Sequence, residues 1–371
     1  MFHTILLLSY TIPNIYVFLR IYKLFINKEY RLYYSLIYLL IALIYPISNL
    51  FHDGNAGLAS LILTDTANYI LPFYLYLFLF ILVYDIILLF NLLFRFIPAG
   101  KMKTTEYRKA LLILIVSLSA LVVVCGIINF NTIRTSEYRI EVPAKSSAIK
   151  NLKIAFVSDF HLQEGTSVSF VEKFAEKMKS IKPDLMLYGG DIVEGDREDE
   201  KMDRFEKMLS EIKTRYGVFG VLGNHEHYAR QDKGNFFRKA GIEILTDSVV
   251  IVDRSFSLAG RNDSHTRMRK SAEEIMRMVP DSLPVILIDH RPTEIEQISR
   301  TSADVVFSGH THNGQLFPIN LITRQVYELS HGYMKKGRTH FFVSSGIRLW
   351  GPPVRTTAKS EIMVIDISFV K

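Results

Sequence analysis

Residues 304–318 read DVVFSGHTHNGQLFP. An apolar run closes on a glycine, and two histidines, His310 and His312, follow on either side of one threonine. Alone, such a pair is as often solvated or packed in a loop as bound to a metal. Its meaning therefore depends on what the chain sets at the ends of its other apolar runs. LKIAFVSD leads into Asp159, Phe160 and His161, and PDLMLYGGD ends on Gly190 and Asp191. YGVFGVLGN leads into Asn224, His225, Glu226 and His227, and SLPVILIDH ends on Asp289 and His290.

Between these runs lie helical patterns near 168–180, 202–213 and 230–240, and two more apolar runs, HFFVSSG and SEIMVIDISF, follow. Runs of Val, Ile, Leu and Phe without polar alternation suit strands covered on both faces, so residues 151–371 are expected to form an α/β domain. In α/β sheets, ligands gather outside the carboxyl ends of the strands, so five separate segments can meet at one place. Taken jointly, they mark His310 and His312 as metal ligands, one toward each of two ions. Carboxylates and imidazoles without thiolates suit Zn, Mn or Fe. Two divalent cations about 3.5–4 Å apart can share a carboxylate, acidify a water and clamp phosphoryl oxygens.

The ordered set D-x-H, G-D, G-N-H-E, a lone histidine and G-H-x-H resembles the calcineurin-like metallophosphoesterase superfamily over about residues 151–369. The resemblance implies a four-layer α/β/β/α sandwich holding two metals. Carried over residue by residue, Asp159, His161 and His312 hold one ion, Asn224, His290 and His310 hold the other, and Asp191 bridges them. His225 is similar to the family's catalytic histidine near the leaving group. The layout is most similar to membrane-attached bacterial phosphoesterases related to enzymes acting on lipid-linked or nucleotide-linked phosphates. The similarity extends to GHTHNGQLFP, where Asn313 stands in place of a glycine, and to SSGIRLWGPPVR. A neutral Asn224 adds a ligand without adding negative charge. His227, Arg348 and Arg355 are candidate substrate contacts, Trp350 a candidate for the pocket wall or the membrane surface, and Glu226 a residue that supports the site. Asp289 is weighed as an acceptor that fixes His290, against which stands the opposite direction of adjacent side chains in a strand.

The first third is of another kind. Residues 1–130 carry nine Lys or Arg and five Asp or Glu. Four apolar stretches, about 4–26, 32–51, 68–94 and 110–130, read as membrane spans of an all-α bundle, the last with 21 uncharged residues. The first is interrupted by Pro13, Asn14 and Arg20, and the third carries Asp85, which raises the idea of a transport role. Residues 131–150 read as a connection into the first strand. Arg20, Lys23, Lys28 and Arg31 flank the first connection, and Arg95, Lys101, Lys103, Arg108 and Lys109 crowd the third. The positive-inside rule then places the downstream domain outside the cytoplasm, at a bacterial inner or plasma membrane. Cys125, the sole cysteine, allows no intrachain disulfide.

The net charge of +7 leaves the downstream domain with 35 basic and 32 acidic residues. That balance, without a basic repeat or an aromatic platform, argues against a nucleic-acid partner. The expected partners are the lipid bilayer and a phosphate ester, lipid-linked or at the membrane surface. The expected activity is metal-dependent hydrolysis of phosphomonoesters or phosphodiesters. The alternative is a noncatalytic membrane sensor or scaffold that binds metal and a phosphate ligand.

Overall fold

The apolar runs of the downstream region become strands, and the order in which they pair decides where their ends fall. The computed structural model of the chain describes residues 2–50, 58–163, 165–194, 200–228 and 234–371. Twelve strands are present among them: β1 (Ile133–Pro143), β2 (Asn151–Val157), β3 (Leu185–Tyr188), β4 (Val218–Gly220), β5 (Glu243–Ile244), β6 (Ser248–Val252), β7 (Phe256–Gly260), β8 (Val285–Ile288), β9 (Val305–Ser308), β10 (Gly332–Lys336), β11 (Thr339–Val343) and β12 (Ser360–Val370). They form two six-stranded sheets, in the orders β1-β12-β2-β3-β4-β5 and β10-β11-β9-β8-β7-β6. Strands β2, β3 and β4 run parallel in the first sheet, and β7, β8, β9 and β11 run parallel in the second.

Side-chain alternation along the strands builds the layers. Ile154, Phe156, Leu185 and Leu187 of the first sheet share one buried cluster with Leu258, Ile286, Ile288, Val305 and Phe307 of the second. The opposite face of the first sheet, Ala155, Val157, Met186 and Tyr188, packs with Phe170, Phe174, Met202 and Phe205 from helices Val168–Ile181 and Glu200–Ser210. On the far face of the second sheet, Ala259, Leu287 and Val306 pack with Ile275 and Ile298 from helices Ala272–Met276 and Ile295–Ser299. The result is an α/β/β/α arrangement, with apolar residues on both faces of the inner strands.

One segment differs from the sequence reading. Residues 131–150 were expected to be a connection, yet β1 pairs with β12 over eleven residues, from Ile133 opposite Ser360 to Pro143 opposite Val370. Its composition, IRTSEYRIEVP, hides it: as an outer strand it needs only a few buried side chains, Ile133, Ile140 and Val142 among them. The chain divides into two units, residues 1–128 with 351–356, and residues 129–350 with 357–371. The short GPPVRT segment thus groups with the helices rather than with the strands around it in sequence.

The first unit is helical: Phe2–Leu24, Arg31–Ala42, Ile44–Leu50, Leu58–Phe94 and Thr105–Phe130. Among the described residues three stretches, Lys28–Ser48, Ile62–Phe94 and Thr105–Phe130, are long and apolar enough to cross a membrane. The stretch expected as the first span is a helix with Pro13 inside it, and it is not among these three. The loop expected between the second and third spans lies partly outside the described residues. Large apolar side chains such as Leu40, Leu92 and Ile113 are exposed, as helices facing lipid require.

Several polar side chains inside this unit have partners. Asn14 Nδ2 donates to Tyr10 O at 2.9 Å, and Tyr38 donates its hydroxyl to Asn14 O at 2.9 Å. Asp85 accepts from Tyr16 and pairs with Arg20. A charge at this depth is costly unless paired, and the pair accounts for both Asp85 and the Arg20 that interrupts the first apolar stretch. Within the same unit Arg355 N donates to Gly126 O at 3.1 Å, and Thr356 bonds to Tyr76. A Cβ on Gly126 would lie 2.6 Å from Val354 Cγ1, so the close approach of this segment to helix Thr105–Phe130 requires glycine.

Candidate metal centre

Every expected ligand comes just past the end of a strand: Asp159 and His161 after β2, Asp191 after β3, Asn224 after β4, His290 after β8, and His310 and His312 after β9. Parallel pairing sets these ends side by side. The loops that follow turn sharply, with positive φ at Asp159 (56°), His161 (44°), Asp191 (51°), His310 (69°) and His312 (48°). Such backbone is unfavourable for non-glycine residues and gathers where surrounding structure fixes functional side chains. Asn313, at φ 48°, sits in the same left-handed region, which an asparagine tolerates. Gly309 leaves space of another sort: a Cβ there would fall 1.8 Å from Ser158 Oγ and 2.4 Å from Asp159 Oδ2.

The side chains converge in three overlapping groups: Asp159, His161 and His312; His161, Asp191 and His225; Asp191, His290 and His310. Asp191 belongs to two of them, with Oδ2 4.0 Å from His161 Nε2 and 3.2 Å from His290 Nε2. His312 Nε2 lies 3.5 Å from Asp159 Oδ1. Asn224 is buried at the start of its short helix, but its amide belongs to none of these groups of charged and imidazole ligands.

The supporting bonds fix which ring nitrogens face inward. His290 Nδ1 donates to Gly189 O at 2.7 Å, and His161 Nδ1 bonds Glu194 Oε2 at 2.6 Å. The Nε2 atoms of both rings are left for a ligand, an arrangement typical of imidazoles that bind metal. His161 Nε2 and Asn224 Oδ1 are buried without a hydrogen-bond partner, a costly state that a cation would relieve. The donor set therefore fits divalent metal.

Electrostatics agree with that fit. Burial pushes the Asp159 carboxyl up; the His290 imidazole opposes this and the nearby Asp191 charge adds to it. Burial, with the charges of His290 and Arg291, pushes His310 down to about 3, leaving a neutral ring able to coordinate. Burial also pulls His290 down, but Asp191 outweighs it and the ring is pushed up to about 10. Were His290 to bind a metal, its ring would have to release a proton.

Glu194 is a residue the motif reading missed. It holds His225 as well as His161, with Oε1 2.7 Å from His225 Nδ1. Burial raises its carboxyl, yet the two imidazoles outweigh this and bring it down to about 2. Burial likewise lowers His225, while the Glu194 bond and the Asp191 charge outweigh it and raise the ring above its ordinary value. Its only sequence signal was an acid three residues beyond Asp191. Glu226 accepts the backbone N–H groups of Asp191 (3.0 Å), Ile192 (2.5 Å), Val193 (3.0 Å) and Gly223 (2.7 Å), bracing the loop that presents Asp191.

Other candidates are placed differently. Asp289 does not touch His290; it accepts from Arg261 at 3.0 Å and from Arg269 at 2.6 and 2.7 Å. The Arg348 guanidinium lies over the rings of Phe130 and Phe170, at 5.0 and 4.9 Å, and burial lowers it to about 10. Arg355 is fully buried and groups with the helical unit. His227 is exposed, with Nε2 3.3 Å from Thr266 Oγ1. Trp350 lies beside His225, ring centroids 6.1 Å apart.

The profile of calcineurin-like phosphoesterases matches residues 152–314. An uncharacterized metallophosphoesterase of Helicobacter pylori is 34% identical over 225 residues, covering 59% of this chain and 60% of its own length, so the match spans under two thirds of that relative. A metallophosphoesterase of Aquifex aeolicus is 31% identical over 63% of this chain and 92% of its own. A Chlamydia trachomatis protein named UDP-2,3-diacylglucosamine pyrophosphatase LpxG is 24% identical over 59% of this chain and 85% of its own. With the five motifs, the clustered ligands and the two packed sheets, these likenesses place the chain in the calcineurin-like metallophosphoesterases.

Proposed function

We propose that the chain is a metal-dependent hydrolase of a phosphate ester carried by a lipid. The carrying observation is Asp191, a buried carboxylate shared by two clusters of ligands. Asp159, His161 and His312 would hold one ion, Asn224, His290 and His310 the other, and Asp191 both. Mn, Zn or Fe suits this donor set. Divalent ions bound there would supply an acidified water and neutralise charge on the phosphoryl oxygens.

The chain's own residues do the rest. Glu194 holds the His225 ring through Nδ1, which leaves Nε2 as the nitrogen that would carry a proton to the leaving oxygen. The protonated ring is suited to donate to the leaving oxygen. This pair favours turnover over a scaffold that only binds phosphate. Trp350 beside His225 provides an apolar wall. The lipid-linked class draws support from the apolar helices and from the diacylated substrate in the name of the Chlamydia relative. An active site outside the cytoplasm follows from the Lys and Arg of the first and third connections.

The test uses the full chain in micelles, stripped by chelation and restored with Mn or Zn. Phosphate release is compared among p-nitrophenyl phosphate, its bis-ester and a diacyl sugar diphosphate. The reading expects metal-restored turnover with the highest kcat/KM on the diacyl substrate. Equal kcat/KM on lipid and soluble esters removes the lipid class, and tight phosphate binding without turnover returns the scaffold.

A further inference from the structure

Helix Ile319–Val326 follows the GHTHNGQLFP loop and has its amphipathicity reversed. Its one buried residue is polar: Asn320. Ile322 and Val326 are 63% and 68% exposed, Leu321 is 49% exposed, and Phe317, just before the helix, is 50% exposed. At 100° per residue, Ile322 and Val326 lie within about 40° of each other on the side away from Asn320, and Leu321 stands at about a right angle to it. A helix meant for water would carry the opposite pattern.

Both ends of this helix are fixed beside the metal ligands. Gly314, two residues after His312, packs against the backbone of Asn320, where a Cβ would come within 2.5 Å of Asn320 N. Tyr327, just past the helix, has its ring 6.4 Å from that of His310. The exposed apolar face is therefore held rigidly near the site rather than on a free tail.

We propose that Phe317 and helix Ile319–Val326 seat in the headgroup–acyl boundary of the bilayer that carries the chain. One observation selects lipid as the occupant. Only Asn131 and Thr132 separate the end of the apolar helix Thr105–Phe130 from β1, a link of about 7 Å at full extension. The domain is thus tethered at a membrane surface. Seating of this helix would bring the ligand loop down to the depth of a lipid's phosphate.

The inference does not depend on hydrolysis and is tested without it. In the full chain with Cys125→Ser, a single cysteine is placed by Ile322→Cys or, as the water-facing reference, Met268→Cys, a position 89% exposed. Each is labelled with bimane in nanodiscs of phosphatidylcholine and phosphatidylglycerol. The expected result is a blue shift at 322, quenching by doxyl lipid and loss of quenching by iodide, with the reverse at 268. Iodide quenching at 322 equal to that at 268, without doxyl quenching, overturns the proposal. Shielding of 322 from both quenchers also overturns it, and assigns the face to a second copy or another protein.

Discussion

At the scale of single residues, the site is a set of strained turns held by a few carboxylates. Glu194 illustrates the logic, because it orients a proposed metal ligand and the proposed acid together. Glu194→Gln is expected to lower metal affinity or turnover by about 10- to 100-fold. It also replaces the charged acceptor that raises His225 by a neutral one, so the His225 pKa falls. Activity that needs His225 protonated is lost as pH rises through that pKa. The basic limb of kcat against pH should therefore move to lower pH in the variant, and an unmoved limb would separate Glu194 from the proton donor. Gly309→Ala tests the packing side: its methyl would meet Ser158 Oγ and Asp159 Oδ2. A loss of roughly 1–3 kcal/mol, with weakened metal binding, is expected from overpacking, read by thermal unfolding with and without Mn. The proposed ligands were legible because each follows the end of an apolar run and belongs to a set of carboxylate, amide and imidazole side chains repeated at those ends. Glu194 was not, since an acid in GDIVEGD looks like any loop acid until folding brings two distant histidines to it.

At the scale of elements, legibility followed burial. Strands covered on both faces, β2, β3, β8 and β9, announce themselves as unbroken apolar runs. The outer strand β1 does not, because its partner β12 supplies the hydrogen bonds and only part of its surface needs apolar residues. The grouping of residues 351–356 with the helices was equally hidden, since it rests on the absence of a side chain at Gly126. In the helical unit, the polar residues that interrupt the apolar stretches are explained by their partners. Asp85→Asn leaves Arg20 without its counter-charge, and a loss of about 1.5–3 kcal/mol is expected for a hydrogen bond to a charged group. The double change Arg20→Leu and Asp85→Leu removes both charges and should restore much of that stability. Thermal unfolding in detergent measures both. A single variant as stable as the double would show that the pair is dispensable.

At the scale of the whole molecule, apolar helices and a phosphoesterase sandwich are joined in one chain, and the proposed chemistry requires metal at the carboxyl ends of two sheets. The central claim is that Asp191 ties two metal sites into one hydrolytic centre. It is tested most directly by metal-dependent phosphate release from the full-length protein, titrated with Mn after chelation and compared with Asp191→Ala. The account predicts that release rises to a plateau at two equivalents of Mn per chain and is lost in the variant. Release that persists after chelation, or that Asp191→Ala leaves intact, would contradict it.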